Sequence, residues 1–122
     1  MRLHYLLLLF LVSCRPVLKM HWPENKAGLT GSGFYKEAAA MQWGSRDSLA
    51  LREALSGNIP PFLRRFVPVR VSIKDTLSGK EIKAVYYVSP DYLSIGHSGD
   101  WARVCITPYA AQRIADSFHC FL

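Results

Sequence analysis

Val67-Pro68-Val69-Arg70-Val71-Ser72-Ile73-Lys74 decides the fold class of this chain. A branched apolar residue stands at every second position, with Pro68, Arg70, Ser72 and Lys74 between. That is the two-residue period of a strand with one apolar and one polar face. Thr76-Leu77-Ser78-Gly79-Lys80 has the composition of a turn, and Glu81 to Ser89 returns with Ile82, Ala84, Tyr86 and Val88 on one face. Ser89-Pro90-Asp91 turns the chain again, a third strand is expected over Tyr92 to Ile95, and Gly96-His97-Ser98-Gly99 leads into a fourth over Trp101 to Ile106. The expectation is a four-stranded antiparallel meander.

Helical signals flank the strands. Upstream, Phe34, Ala38 and Met41 recur at helical spacing over Phe34 to Gln42, and three consecutive alanines favour a helix that Trp43-Gly44 then breaks. A second helix is expected from Ser45 or Asp47, either able to cap free amides, with Leu51, Ala54 and Leu55 on its buried face and Gly57 ending it. Downstream, Thr107-Pro108 places a cap and a first-turn proline ahead of the stripe Ala111, Ile114, Ala115 and Phe118. Helices and strands come in runs, so the class is α+β: two N-terminal helices, the meander, and a C-terminal helix packed on one face of the sheet.

The start of the chain carries a different signal. Arg2, the apolar run Tyr5 to Val12 and small Ser13 follow the order of a secretory signal peptide, and the run is far short of the ~20 residues that span a bilayer. Leu11-Val12-Ser13-Cys14 resembles the lipobox of bacterial lipoproteins, which implies a lipid on Cys14. Ordinary signal-peptidase cleavage would instead leave Cys14 a plain thiol. The expected organisation is a signal peptide over 1–13, a lipid attachment site and tether over 14–33, and a single α+β domain over 34–122. Pro16, Pro23, Gly28, Gly31 and Gly33 give the tether its irregular character.

The chain has 122 residues, 50% hydrophobic, with a formal net charge of +6. Its basic residues are scattered, with Arg64-Arg65 the only adjacent pair, which does not suit nucleic acid. Anionic envelope polymers or glycans and lipid head groups suit it better. Cys105 and Cys120 are expected as two buried free thiols. A helix from residue 108 carries Cys120 about 18 Å from Cys105 at ~1.5 Å per residue, beyond the roughly 7 Å that a disulfide allows.

No catalytic, metal or cofactor constellation stands out. Gly96-His97-Ser98-Gly99-Asp100 lacks the second glycine of a nucleophile elbow and leads into a strand, so it is a hairpin loop. His97, Asp100 and Asp91 are too few for a metal site, with His21 and His119 elsewhere in the chain. One surface does suggest binding: the polar sheet face is expected to gather Arg70, Lys74, Lys83, Tyr87, Trp101 and Arg103, where cations and aromatic rings suit sugars and anions.

Gly57-Asn58-Ile59-Pro60-Pro61-Phe62-Leu63-Arg64, Pro90-Asp91-Tyr92-Leu93-Ser94-Ile95-Gly96 and Thr107-Pro108-Tyr109-Ala110-Ala111-Gln112-Arg113-Ile114-Ala115-Asp116 resemble the N-terminal region of a poorly characterised group of secreted bacterial proteins. The resemblance implies a chain continuing past Leu122 into a region rich in His and Asp. The apolar ending Ser117 to Leu122 implies either that the last residues tuck into the core or that the chain is part of a longer protein. The functional expectation is a lipid-anchored envelope domain, exported and facing the periplasm or exterior, that binds or scaffolds. The alternative is the N-terminal portion of a cell-wall hydrolase with its catalytic residues beyond residue 122.

Overall fold

A computed structural model describes residues 18–122; the expected signal peptide and Cys14 lie outside the described residues. The chain is α+β. Strand β1 (Leu18–Lys19) is followed by helices α1 (Gly31–Ala38) and α2 (Trp43–Ser56), then a 3-10 turn at Pro61–Arg64. Strands β2 (Arg65–Lys74), β3 (Glu81–Val88), β4 (Ser94–His97) and β5 (Asp100–Arg103) come next, and α3 (Pro108–Ser117) closes the order.

The expected four-stranded meander is divided in two. β1, β2 and β3 form one antiparallel sheet in that order, and β4 and β5 form a separate antiparallel pair. β3 does not pair with β4, and α1 packs on the β4–β5 pair. Two glycines let the backbones meet there. A Cβ on Gly31 would lie 2.4 Å from the Trp101 carbonyl carbon, and one on Gly96, at φ +112°, would lie 2.9 Å from the Gly31 amide nitrogen. Asp100 Oδ1 then accepts from the Ser32 amide at 2.9 Å and the Ser32 hydroxyl at 3.1 Å, fixing the first turn of α1 to the hairpin.

Helix boundaries shift for local reasons. α1 starts three residues before Phe34 because the Thr30 hydroxyl caps it, accepting from the Gly33 amide at 3.0 Å. Trp43 opens α2 instead of breaking α1, with the Arg46 guanidinium 4.7 Å above its ring. Asp47, expected as a cap of α2, reaches across to α3 and accepts from the Thr107 amide at 3.1 Å and from the Thr107 hydroxyl. Thr107 and Pro108 start α3 as expected, and Gly57 ends α2 in the left-handed region at φ +90°.

Phe34, Leu49, Ala54, Ile59, Leu63, Ile95, Val104 and Ile114 form one core, in which α2 packs on α3 and α1 on the β4–β5 pair. A buried polar contact ties its loops together: Asn58 Nδ2 donates to Leu29 O at 2.8 Å and to Glu53 Oε2 at 2.7 Å, and the Leu29 amide donates to Glu53 Oε2 at 3.2 Å. Residues 18–33, expected as tether, belong to this body. Trp22 donates to Ala54 O at 2.7 Å and stacks on Phe118, and Arg64 donates to Trp22 O at 2.6 Å and to Pro23 O and Gly57 O at 3.0 Å. Those carbonyls are the partners of the lone adjacent basic pair's first member. Cys105 and Cys120 are free as expected but not both buried: Cys105 is exposed, because Val104 takes the inward position after β5, and Cys120 is partly exposed beyond the end of α3.

The helices do not cover the β2–β3 hairpin, contrary to the expected packing of helices on one sheet face. Its neighbours are β1, at the base, and the 3-10 turn. Ile73 and Ile82 keep 65% and 58% of their surface exposed, whereas Ile95 in the body keeps 0%.

Candidate functional site: the β2–β3 ribbon

The ribbon is built by its own register. Val67 pairs with Val88, Val69 with Tyr86, Val71 with Ala84 and Ile73 with Ile82 on one face; Pro68 pairs with Tyr87, Arg70 with Val85, Ser72 with Lys83 and Lys74 with Glu81 on the other. β-branched and aromatic residues placed directly opposite one another stabilise such a pair by roughly 0.2–1 kcal/mol each. The turn is held by Asp75, whose carboxylate accepts from the Leu77 and Ser78 amides at 3.2 Å and from the Ser78 hydroxyl, while Gly79 supplies φ +70°. The Ser78 hydroxyl, and after it the two amides, hold the Asp75 carboxyl below its ordinary range. The ribbon therefore forms from local interactions and leaves both broad faces open beyond its base, where Phe66, Pro68 and Tyr87 are half-buried.

Four of the six expected binding residues share one of those faces: Arg70, Lys74, Lys83 and Tyr87. Ser72 donates to Glu81 Oε1 at 2.6 Å and Lys83 approaches Glu81 Oε2 at 3.1 Å; the Ser72 bond first, and Lys83 second, keep the Glu81 carboxyl low. Arg70 and Lys74 make no ion pair among the described residues.

Trp101 and Arg103 are not on that face. They stand on β5, in the other sheet, and are used structurally. Arg103 donates to both oxygens of Asp91, from Nε at 3.0 Å and Nη2 at 2.7 Å, which lowers the carboxyl and raises the guanidinium from their usual ranges. The same guanidinium sits 5.6 Å from the Trp101 ring centroid, and Trp101 meets Phe62 edge-on at 5.0 Å. This cluster fastens the connection after β3 to the body. Asp100 is likewise committed to α1: the Ser32 amide, more than the Ser32 hydroxyl, keeps its carboxyl low. Among the described residues no group of three or more His, Cys, Asp or Glu is arranged to hold a metal ion.

The sequence did not predict a groove of ≈ 810 Å³ between the ribbon base and α3, lined by Trp22, Phe66, Tyr86, Val88, Ile114 and Phe118 among others. Tyr86 and Val88 from the apolar face and Phe66 and Tyr87 from the other face all line it, so both faces of the ribbon meet the groove at the base. The only sequence signal for it was an isolated Trp22 in a Pro- and Gly-rich stretch, which periodicity cannot assign. Compared with models of protein families, with curated proteins and with solved structures, the chain matches none.

Proposed function

We propose that the chain is a lipid-anchored domain of the bacterial cell envelope, held by Cys14, that binds or scaffolds through the β2–β3 ribbon. The anchor rests on the order of Arg2, the apolar run to Val12, Ser13 and Cys14. The binding role rests on one observation: a ribbon with eight paired positions contributes little to the core and presents two chemically distinct open faces. Arg70, Lys74, Lys83 and Tyr87 make one of them cationic and aromatic, which suits an anionic envelope polymer or glycan, with Tyr87 for sugar rings and Arg70 for paired oxygens.

Two measurements test this. Labelled palmitate fed to a bacterial host should appear on the wild-type chain and not on Cys14→Ser; a wild-type chain without label rejects the anchor. Peptidoglycan pull-down should retain the chain, and Arg70→Glu with Lys74→Glu should cut retention several-fold. The same charge change at Lys26 and Lys36, which are exposed outside the ribbon, is the control. Equal loss from both pairs rejects the polar face as the site, and cleavage of the peptidoglycan by this chain overturns a purely binding role.

A further inference from the structure

We infer that the apolar face of the β2–β3 ribbon lies flat on the anionic surface of the membrane that carries the Cys14 anchor, with the polar face turned outward; this rests on the anchor proposed above. The face consists of Val67, Val69, Val71, Ile73, Ile82, Ala84, Tyr86 and Val88; at the base the same side of β2 continues into Arg65, paired with Lys19, and at the tip Leu77 extends it with 96% of its surface exposed. Water is a poor neighbour for so large a contiguous apolar surface.

Reach selects the occupant. β1 begins at Leu18, paired with Phe66 at the ribbon base. From Cys14 to Leu18 the chain extends at most about 14 Å at ~3.5 Å per residue. A lipid on Cys14 thus holds the ribbon base within about 14 Å of the bilayer in every orientation of the domain. The ribbon itself, with its paired positions from Val67 to Lys74, is about 27 Å long at ~3.4 Å per residue, so it is long enough to lie across that surface.

Charge agrees. Between Arg65 and Val88 the cations Arg65, Arg70, Lys74, Lys80 and Lys83 outnumber the anions Asp75 and Glu81. Arg70, Lys74 and Lys83 are on the outward face, and a sheet layer is roughly 10 Å thick. With the apolar side chains seated about 5 Å into the interface, these cations stay at head-group level, within the ~8 Å screening length of an anionic surface at physiological salt. Deeper insertion is opposed by the backbone, because the outer edge of β3 is unpaired among the described residues and hydrocarbon would leave it unsatisfied.

The test uses the mature acylated chain, purified from host membranes, with Cys105→Ser and Cys120→Ser so that one engineered thiol carries an environment-sensitive fluorophore. Placed at Ile82→Cys, on the apolar face, the probe should shift its emission to the blue in phosphatidylcholine vesicles containing phosphatidylglycerol, and be quenched by a lipid-borne quencher. Placed at Lys83→Cys, on the opposite face, it should shift much less and escape the quencher. Equal emission from the two positions in vesicles overturns the inference. A blue shift at position 82 that instead follows protein concentration in detergent assigns the face to a second copy and also overturns it. The mass of the mature chain reports the acyl group independently, so absence of that mass rejects the anchor by itself, and the inference with it.

Discussion

Ile95 in β4 is fully buried among α1, α2 and β5, whereas Ile73 in β2 leaves 65% of its surface in water. The difference separates two ways in which one chain makes strands. In the body, strands exist because helices and a buried Glu53–Asn58 contact surround them. In the ribbon, alternation, cross-strand pairing and an Asp75-closed turn suffice without a covering layer. The body therefore carries the stability, and the ribbon is surface available for contact.

Paired substitutions test that division, and the largest effect should come from the two isoleucines. Ile95→Ala removes a buried branched side chain and should cost about 2–5 kcal/mol, while Ile73→Ala should stay within about 0.5 kcal/mol, both read from urea midpoints. Comparable losses at the two sites would mean that the ribbon is covered in solution. Glycines give the next contrast. Gly57 and Gly79 both hold positive φ, but a Cβ at Gly57 would lie 1.8 Å from Pro23 O, whereas nothing lies within 4 Å of one at Gly79. Gly79→Ala should cost about 1 kcal/mol from its backbone conformation alone, and Gly57→Ala clearly more, measured by thermal unfolding.

Acid should act on both regions, since Asp75 and Glu81 in the ribbon are held low as well. The Asp91 and Asp100 carboxyls are held below their ordinary range by Arg103 and by the Ser32 amide respectively, so the folded state binds their protons less readily than the unfolded chain does. Their stabilisation is complete above the unfolded value of about 3.9 and disappears as pH falls through the lower folded values. Asp100→Asn should flatten the fall in the thermal midpoint between about pH 4 and pH 2, and an unchanged slope would assign that fall to other carboxylates. A small effect on stability, under about 1 kcal/mol by denaturant titration, is also expected for Ile73→Ser with Ile82→Ser, although these positions belong to the contact surface. A larger loss would place them in a packed core.

Much of this was legible in the sequence. Period-two alternation announced β2 and β3, and Thr107-Pro108 announced α3, because in both cases the deciding interactions lie within a few residues. The split into two sheets was not legible. It depends on Gly31 and Gly96 permitting backbone contact between segments far apart in sequence, and on Asp100 choosing Ser32. The same limit governs the site. Arg70, Lys74, Lys83 and Tyr87 fell on one face because hairpin register is local, while Trp101 and Arg103 were grouped with them only by assuming that β3 and β4 pair. Trp22 and Arg64 looked like tether and loose charge because their partners are remote in sequence: α2 brings Ala54 O to Trp22, and Arg64 meets Trp22 O and Pro23 O far back in the chain.

Hydrogen exchange on the acylated chain, in detergent and then on phosphatidylglycerol-containing vesicles, tests the central claim most directly. Amides of residues 65–88 should exchange more slowly on the vesicles, most of all at the unpaired edge of β3, while those of α2 keep their rates. Unchanged exchange over residues 65–88, or slowing confined to α1 and α2, would contradict the assignment of the ribbon as the contact surface.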